Sequence, residues 1–282
     1  MLVGKPIVGL SLTNWRQDPP EKMLPLLAAA GIEATELHLT PVWLDPDRPQ
    51  EMRRLGRLFA QYRIAPTSVH TQYGDQADVS ARNDDWRRAG MELILRGARA
   101  LWEVGGRIAV LHPGRALADE ERPAALAACR RSLAEMIELT ADFPVQLAIE
   151  NMLPGQLGDR GQELVQMAEG FPPGRVAFCL DTGHARLCAE GLEIGRAMAP
   201  RLAALHLQDN VGQGDAHLLP FTGTLDWAVV AEILNQADYQ GPYLLEIGEA
   251  ACGNGLSALA PCIQRLAALR EEVGGNGPGR PG

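Results

Sequence analysis

Segments with the apolar pattern of buried strands alternate along this chain with segments that have the apolar periodicity of helices. Eight short runs rich in apolar and β-branched residues are typical of buried strands, and they cover residues 6–12, 34–40, 65–71, 107–113, 145–151, 176–182, 202–209 and 242–248. Longer stretches of helical period predict helices over residues 21–30, 49–62, 84–104, 120–141, 160–170, 190–199, 226–236 and 256–272. Each predicted strand is therefore followed by a predicted helix.

This order predicts a parallel sheet, and eight strand–helix units predict an α/β protein with a (β/α)8 TIM barrel. An open, doubly wound sheet is the alternative, but the first strand continues as Ser11-Leu-Thr-Asn-Trp-Arg rather than as Gly-x-Gly-x-x-Gly. No linker divides the chain, so we expect one barrel domain over residues 1–273. Residues 274–282 are rich in Gly and Pro, and we expect a disordered tail there.

Six consecutive predicted strands, from the third to the eighth, end on a residue that commonly binds metal ions. In a TIM barrel these carboxyl ends form the active-site face, and the six residues are His70, His112, Glu150, Asp181, His206 and Glu246. Side chains two positions apart share a face of a strand, so Ala148, Cys179 and Ala204 should line the barrel interior beneath these groups. Any one such residue is more often a core histidine or a helix cap, but six in succession favour a shared site. Asp209 is typical of an Asx turn and is left outside the site.

Carboxylates that converge on one site repel one another and shift one another's pKa values unless a cation lies among them. A set of carboxylates and imidazoles without thiolates suits Mn²⁺, Zn²⁺, Co²⁺ or Fe²⁺, whereas Mg²⁺ is less favoured because of the histidines. We therefore expect a divalent metal ion as the cofactor, with Mn²⁺ as the first choice and Zn²⁺ or Co²⁺ as alternatives.

Composition and net charge indicate which kinds of binding partner and which cellular compartment are expected. The chain has 282 residues, of which 46% are hydrophobic, and its formal net charge at pH 7 is −9. An acidic chain has no global electrostatic reason to bind nucleic acid, so a nucleic-acid partner is disfavoured. No apolar stretch approaches the roughly 20 residues of a membrane span, no signal-peptide pattern is present, and the five cysteines form no C-x-x-C pair. These features predict a cytoplasmic protein with reduced thiols and no membrane partner; a homo-oligomer is left open.

Four segments at the strand ends carry a resemblance to a known group of barrels. They are Ile149-Glu-Asn, Cys179-Leu-Asp-Thr-Gly-His-Ala, Leu205-His-Leu-Gln-Asp-Asn and Leu245-Glu-Ile. Through all eight units, the chain resembles the xylose-isomerase-like barrel superfamily. That group contains sugar and sugar-phosphate isomerases and epimerases, inosose dehydratase-like enzymes and the endonuclease IV family. The resemblance implies a metal-dependent sugar isomerase or epimerase with a small-molecule carbohydrate as substrate.

The epimerase-like members hold one metal ion with four residues, whose counterparts here are Glu150, Asp181, His206 and Glu246. The resemblance implies that the metal binds adjacent oxygens of a keto-sugar or similar polyol and stabilises an enediolate. Glu150 and Glu246 would then be the catalytic residues on opposite faces of the reacting carbon, one removing a proton and the other returning it. A dehydratase or lyase is an alternative, because proton abstraction beside a carbonyl can also precede loss of a β-hydroxyl.

The same resemblance leaves a second alternative, a zinc-dependent hydrolase of abasic DNA. Endonuclease IV-like members bind three zinc ions with five further ligands, and the five residue types recur here as His70, His112, His184, Asp215 and His217. In a sugar-acting enzyme these residues would bind additional metal or substrate. The net charge of −9 and Gly183, where the DNA-repair members typically carry Cys, weigh against the hydrolase.

Residues close to the predicted strand ends complete the expected site. We expect substrate contacts from Trp15, whose ring could pack against a sugar face, and from Arg115 and Arg186, which could bind a phosphate. Glu36 and His38 share a face of the second strand, where either could line the pocket, but neither is assigned as a ligand.

Overall fold

Eight parallel strands form the centre of the molecule. The computed structural model describes residues 5–248 and 255–275. Its strands are β1 (Val8–Ser11), β2 (Ala34–His38), β3 (Ala65–His70), β4 (Ile108–Leu111), β5 (Gln146–Glu150), β6 (Val176–Asp181), β7 (Leu202–His206) and β8 (Tyr243–Leu245). They pair in the order β7-β6-β5-β4-β3-β2-β1-β8, and a parallel bridge between Leu207 and Leu245 joins the two outer strands. The predicted (β/α)8 TIM barrel is confirmed.

Helices pack around these strands and connect them. Within the described ranges they are α1 (Pro20–Ala29), α2 (Pro49–Tyr62), α3 (Asp84–Val104), α4 (Arg122–Leu139), α5 (Gly161–Ala168), α6 (Thr182–Leu187), α7 (Glu193–Met198), α8 (Trp227–Gln236) and α9 (Leu259–Gly275). Local sequence sets their ends. Helix α3 begins where the Asn83 side chain accepts hydrogen bonds from two backbone N–H groups of the first turn. It ends at Gly105, whose φ of 105° favours glycine.

The connection from β6 to β7 differs from the prediction of one helix over residues 190–199. Two helices lie there, and α6 starts at Thr182, directly after the strand. The reason is Asp181, whose Oδ1 accepts a hydrogen bond from the N–H of His184 at 2.7 Å and so caps the helix. A side chain placed among the candidate ligands therefore also fixes the turn that follows it.

The carboxyl ends of three elements differ by a few residues from those predicted from the sequence. Strand β7 stops at His206 rather than at 209, and β8 stops at Leu245 rather than at 248. Helix α9 continues to Gly275, two residues beyond the expected end of the domain at 273. Residues 276–282 of the expected tail lie outside the described residues.

The apolar core has two parts. The larger part fills the space between the strands and the surrounding helices, with Leu10, Phe59, Ile149 and Phe178 among its fully buried members. The smaller part lies inside the barrel and consists of Val110, Ala148, Cys179 and Ala204. The interior face deduced from strand alternation is thus confirmed. Small side chains there leave room for polar groups in the barrel centre.

Two sequence-based expectations concern chemistry outside the barrel centre. Four of the five cysteines lie in the described ranges, and all four carry free thiols; Cys252 lies outside those ranges. Within residues 5–248 and 255–275, no helix combines the length and the apolarity that crossing a bilayer requires.

Candidate metal centre

Four side chains meet at the carboxyl-terminal mouth of the barrel. Glu150, Asp181 and His206 end strands β5, β6 and β7, and Glu246 directly follows β8. One potential ligand atom from each of the four lies within 4.8 Å of the others, and all four residues are buried. His206 holds the group together, because its Nδ1 is 3.0 Å from Glu150 Oε1 and 3.1 Å from Glu246 Oε2. The set expected from the strand ends is therefore one cluster in space.

The second nitrogen of His206 faces Glu36, which the sequence allowed as a pocket residue but which was not assigned as a ligand. Nε2 lies 3.0 Å from Oε1 of Glu36, which is fully buried on β2. Glu36 lies inside its strand rather than at the end, so a search of strand ends misses it. The sequence did indicate its position indirectly: Glu36 is two residues from His38, so both side chains lie on the same face of β2, and His38 lines the cavity.

His70 and His112 approach Glu150 from the side away from His206. Their Nε2 atoms are 3.5 Å and 3.2 Å from Glu150 Oε2. The approach lacks hydrogen-bonding geometry, so within the described part of the chain this buried oxygen has no hydrogen-bond partner. A buried carboxylate oxygen that accepts no hydrogen bond costs free energy, which charge attraction to the nearby histidines or a bound cation can offset.

Asp215 gathers the two remaining histidines. Its Oδ2 lies 3.4 Å from His184 Nε2 and 3.0 Å from His217 Nε2. His184 is oriented from behind, since its Nδ1–H donates to the backbone carbonyl of Asn151 at 2.9 Å. Gln208 links this group to the first cluster, donating from Nε2 to Asp215 Oδ1 at 2.7 Å and to Asp181 Oδ2 at 3.2 Å. All nine ligand-type residues named from the sequence thus surround one mouth.

Burial and mutual attraction move the pKa values of the acidic groups in opposite directions. Burial raises the pKa of Asp181 to about 6, despite the attraction of His184. Burial also acts to raise the pKa of Glu150, but attraction to His206 and His112 outweighs it and holds that pKa well below its usual value. For Glu36, attraction to His206 outweighs burial and lowers the pKa to about 2.

Most of the histidines are held in the protonated form by the carboxylates. Burial acts to lower their pKa values, but Glu150 raises the pKa of His70 to about 9, and Asp215 raises the pKa of His217 to about 9. The pKa of His184 also lies well above the usual value, because Asp181 and Asp215 outweigh burial, and so does that of His206, because Cys179, Glu246, Glu36 and Glu150 together outweigh burial. In the absence of an ion, imidazolium groups therefore balance the buried negative charge.

A cavity of about 430 Å³ opens above these groups. Its polar lining contains Thr13, His38, His70, Tyr73, Asp75, His112, Arg115, Glu150, Gln156, His184, Asp215, His217 and Glu246. Arg115 therefore lies where the sequence-based interpretation placed it. Tyr73, which stacks at a tilt on His112 with ring centroids 5.1 Å apart, adds an aromatic wall that was not assigned to the substrate.

The other two expected substrate contacts lie elsewhere. Trp15 packs against the apolar core, and its backbone oxygen accepts a hydrogen bond from Trp43 Nε1. Arg186 points towards Thr224, with Nη2 at 3.4 Å from its Oγ1. Neither residue is part of the cavity lining within the described ranges. A position shortly after a strand does not determine the direction of a long side chain, which explains both differences.

Asp209 has a structural role, as the sequence suggested. Its Oδ2 accepts a hydrogen bond from Trp227 Nε1 at 3.0 Å, and its Oδ1 accepts hydrogen bonds from the backbone N–H groups of Asn210 and Leu225. These hydrogen bonds tie Asp209 to the loop before α8 and to the first residue of that helix.

Comparison with known proteins agrees with this architecture. An uncharacterised protein of Mycobacterium leprae is 27% identical over 271 residues, which cover 86% of this chain and 89% of that protein. An uncharacterised protein of Methanocaldococcus jannaschii is 24% identical over 205 residues, covering 70% and 69% of the two chains.

Solved structures share the fold at low identity. A D-tagatose 3-epimerase-like protein superposes with a TM-score of 0.79 at 20% identity, covering 94% of this chain and 98% of that chain. L-ribulose 3-epimerase superposes with a TM-score of 0.76 at 17% identity, covering 97% and 99%. The IOLI protein with a binding zinc atom superposes with a TM-score of 0.78 at 12% identity, covering 94% and 98%.

The family model described as xylose isomerase-like TIM barrel matches residues 24–271. This range includes every strand from β2 onward and the whole four-residue cluster. The chain therefore belongs to the xylose isomerase-like TIM barrel family.

Proposed function

We propose that this protein is a divalent-metal-dependent isomerase or epimerase of a small carbohydrate or related polyol. The observation that carries the proposal is the buried cluster of Glu150, Asp181, His206 and Glu246, with one potential ligand atom from each within 4.8 Å of the others. Two glutamates of this cluster, Glu150 and Glu246, also line a substrate-sized cavity, where they could act as general base and general acid in a reversible proton transfer. The family and the sugar epimerases among the structural neighbours support this choice.

The donor set fits a divalent ion. Three carboxylates and one imidazole, all buried, are hard and borderline ligands without a thiolate, which suits Mn²⁺ first and Zn²⁺ or Co²⁺ as alternatives. Such a group of acids is stable in a buried site only with compensating positive charge. When bound, the cation supplies that charge and stabilises the developing charge on a substrate carbonyl oxygen.

Glu150 and Glu246 perform the proton transfer in this proposal. Both line the cavity. Glu150 is the last residue of β5 and Glu246 directly follows β8, so the two side chains enter the cavity from different strands. One glutamate removes the proton from the carbon next to the carbonyl, giving an enediolate, and the other returns a proton. Return to the opposite face gives an epimer, whereas return to the neighbouring carbon gives an isomer.

The cavity favours a small, polar substrate. Its volume of about 430 Å³ lies near the lower end of the usual range for small-molecule sites, about 300–1,000 Å³. Hydrogen-bonding groups line the cavity, among them Thr13, His112 and His184. Arg115 at the rim could bind a phosphate on the substrate.

Solvent deuterium exchange tests the proposal directly. The Mn²⁺-loaded protein is incubated in D₂O with D-tagatose, L-ribulose and D-fructose, and incorporation next to the carbonyl is followed by NMR. We expect exchange with at least one ketose and a loss of about 10²–10⁴-fold in Glu150→Gln and Glu246→Gln. Glu138→Gln, an exposed change on α4, is the matched control and should keep the rate. Undiminished exchange in the Glu150→Gln variant would refute the mechanism.

A dehydratase or lyase would use the same groups, and the products separate it from an epimerase. Loss of a β-hydroxyl releases water and leaves a deoxy-dicarbonyl product of lower mass, whereas epimerisation keeps the mass of the substrate. Mass spectrometry of the same incubations therefore decides between the two reaction types.

One observation favours a second candidate, the zinc-dependent hydrolase of abasic DNA. His70 and His112 face Oε2 of Glu150, and Asp215 contacts both His184 and His217, so the residue types that would bind further ions lie beside the four-residue cluster. Metal content per chain, measured by mass spectrometry after purification without chelator, discriminates the two. About three zinc ions per chain with incision of abasic DNA would replace the isomerase proposal, and one ion would support it.

A further inference from the structure

A carboxylate beneath the metal-ligand cluster contacts it from the opposite side of the barrel. Glu36 lies on β2, is fully buried, and is reached by His206 from β7. We propose that Glu36 is a positioning residue that presents Nδ1 of His206 to the metal ion. The inference rests on the metal site of the proposed function and concerns a residue that does not itself bind the ion.

The proton positions follow from the chemistry of the two partners. An ionised carboxylate only accepts hydrogen bonds, so the 3.0 Å contact between Glu36 Oε1 and His206 Nε2 requires the proton on Nε2. A neutral imidazole carries one N–H, and its lone pair then lies on Nδ1. Nδ1 is the atom that faces Glu150 and Glu246 at 3.0 Å and 3.1 Å. When His206 is neutral, as a metal ligand must be, Glu36 thus selects the tautomer whose lone pair points into the cluster.

Glu36 is itself rigidly held. Its Oε1 also accepts a hydrogen bond from Ser11 Oγ on β1 at 3.0 Å, and its Oε2 accepts one from Ser68 Oγ on β3 at 3.0 Å. Three strands therefore fix one carboxylate, and both of its oxygens are engaged away from the ion. This arrangement excludes Glu36 as a ligand in the described geometry and suits it to orienting one.

Outer partners of this kind have a measurable effect on binding. Hydrogen bonds to a ligating histidine fix its ring orientation and increase its basicity, and their removal typically costs about 10–100-fold in metal affinity. The neutral amide in Glu36→Gln keeps the size of the side chain but removes the charge and can donate where only an acceptor fits. We therefore expect the weakening to appear in metal binding and not only in turnover.

The experiment compares Mn²⁺ dissociation constants, measured by competition with a fluorescent chelator, in two variants of β2. Glu36→Gln should raise the constant about 10–100-fold. Thr35→Val is the matched control, because Thr35 is equally buried, belongs to the same strand and points to the other face; its constant should equal that of the unmodified protein. Circular dichroism establishes that both variants fold.

A measurement on the unmodified protein covers the case in which Glu36→Gln does not fold. In the Zn²⁺-loaded protein labelled with ¹⁵N-histidine, NMR should show His206 with its proton on Nε2 and the metal on Nδ1. The proposal is overturned by coordination through Nε2, or by a folded Glu36→Gln variant with an unchanged constant. If the unmodified protein binds neither Mn²⁺ nor Zn²⁺, the proposed function fails together with it.

Discussion

Gly183 offers a sharp test of how the mouth of the barrel is packed. A Cβ atom at this position would lie 2.2 Å from both Cδ and Oε1 of Gln208, whereas ordinary contact begins at 3.4 Å. Gln208 is fully buried, so its amide must move by about 1 Å or more to admit even a methyl group. The variant Gly183→Ala therefore acts through Gln208.

The cost follows from the bonds that Gln208 gives up. Its Nε2 donates to Asp181 Oδ2 at 3.2 Å and to Asp215 Oδ1 at 2.7 Å. Hydrogen bonds to charged groups contribute about 1.5–3 kcal/mol each, and the gain from replacing Gly by Ala in a helix offsets up to about 1 kcal/mol. Because Asp215 is half-buried and can regain water, we expect Gly183→Ala to lower the free energy of unfolding by about 2–4 kcal/mol.

Urea unfolding followed by circular dichroism measures this effect, and a double-mutant cycle assigns it. In a Gln208→Ala background the obstructing atoms are absent, so Gly183→Ala should cause no loss and should raise the free energy of unfolding by up to about 1 kcal/mol, the helix gain alone. An equal loss in both backgrounds would show that the backbone at Gly183, and not Gln208, sets the cost. A neutral Gly183→Ala single variant would refute the packing argument altogether.

Further expectations concern pH and the boundary of the site. The metal-free protein should lose thermal stability as pH rises from 6.5 to about 9, because the pKa values of His70 and His217 are raised from 6.5 to about 9. The protons that stabilise the folded state are fully bound below pH 6.5 and are lost across this range. A melting temperature that rises with pH over the same range would contradict this expectation. Mn²⁺ affinity, measured by calorimetry, should instead fall as pH drops, because the ion displaces a proton from His206. The fall should become steeper below about pH 6, since burial raises the pKa of Asp181 to about 6 and a carboxylate ligand must be ionised; an unchanged slope across pH 6 would exclude Asp181 as a ligand. Asp209→Ala should lower the free energy of unfolding by about 1–3 kcal/mol through Trp227 while metal content per chain stays unchanged, and loss of the metal would place Asp209 in the site.

Short-range rules were sufficient for the fold and for much of the site. Strand alternation and the position of strand ends depend on period-two geometry and on the topology of a parallel barrel. These rules placed Glu150, Asp181 and His206 on one face at one mouth, and the structure has them there. They require no knowledge of distances, because every strand of a barrel delivers its carboxyl end to the same side.

These rules do not predict contacts between side chains on strands that are not adjacent in the sheet, nor the directions of side chains in loops. Glu36 reaches His206 across the barrel, between strands that are not neighbours in the sheet, and sequence spacing does not encode that approach. The expectations for Trp15 and Arg186 depended on loop direction, and both side chains pack away from the cavity. The helix that begins at Thr182 was missed because the ligand and capping roles of Asp181 were treated as alternatives, whereas the side chain also caps the helix that follows its strand.

Charge balance connects the stability of this site with its proposed chemistry. Glu36, Glu150, Asp181 and Glu246 are each at most 7% exposed, and buried carboxylates at this density require compensating positive charge. Without an ion, the compensation comes from protons on the histidines, among them His206, whose pKa lies well above the usual value because Cys179, Glu246, Glu36 and Glu150 together outweigh burial. An ion bound at Nδ1 takes the place of one of these protons. Metal uptake should therefore release protons, and the same exchange reverses the direction in which stability depends on pH. In this scheme Glu36 keeps its hydrogen bond from His206 both without and with the ion, because it accepts that bond from Nε2 and the ion would bind Nδ1.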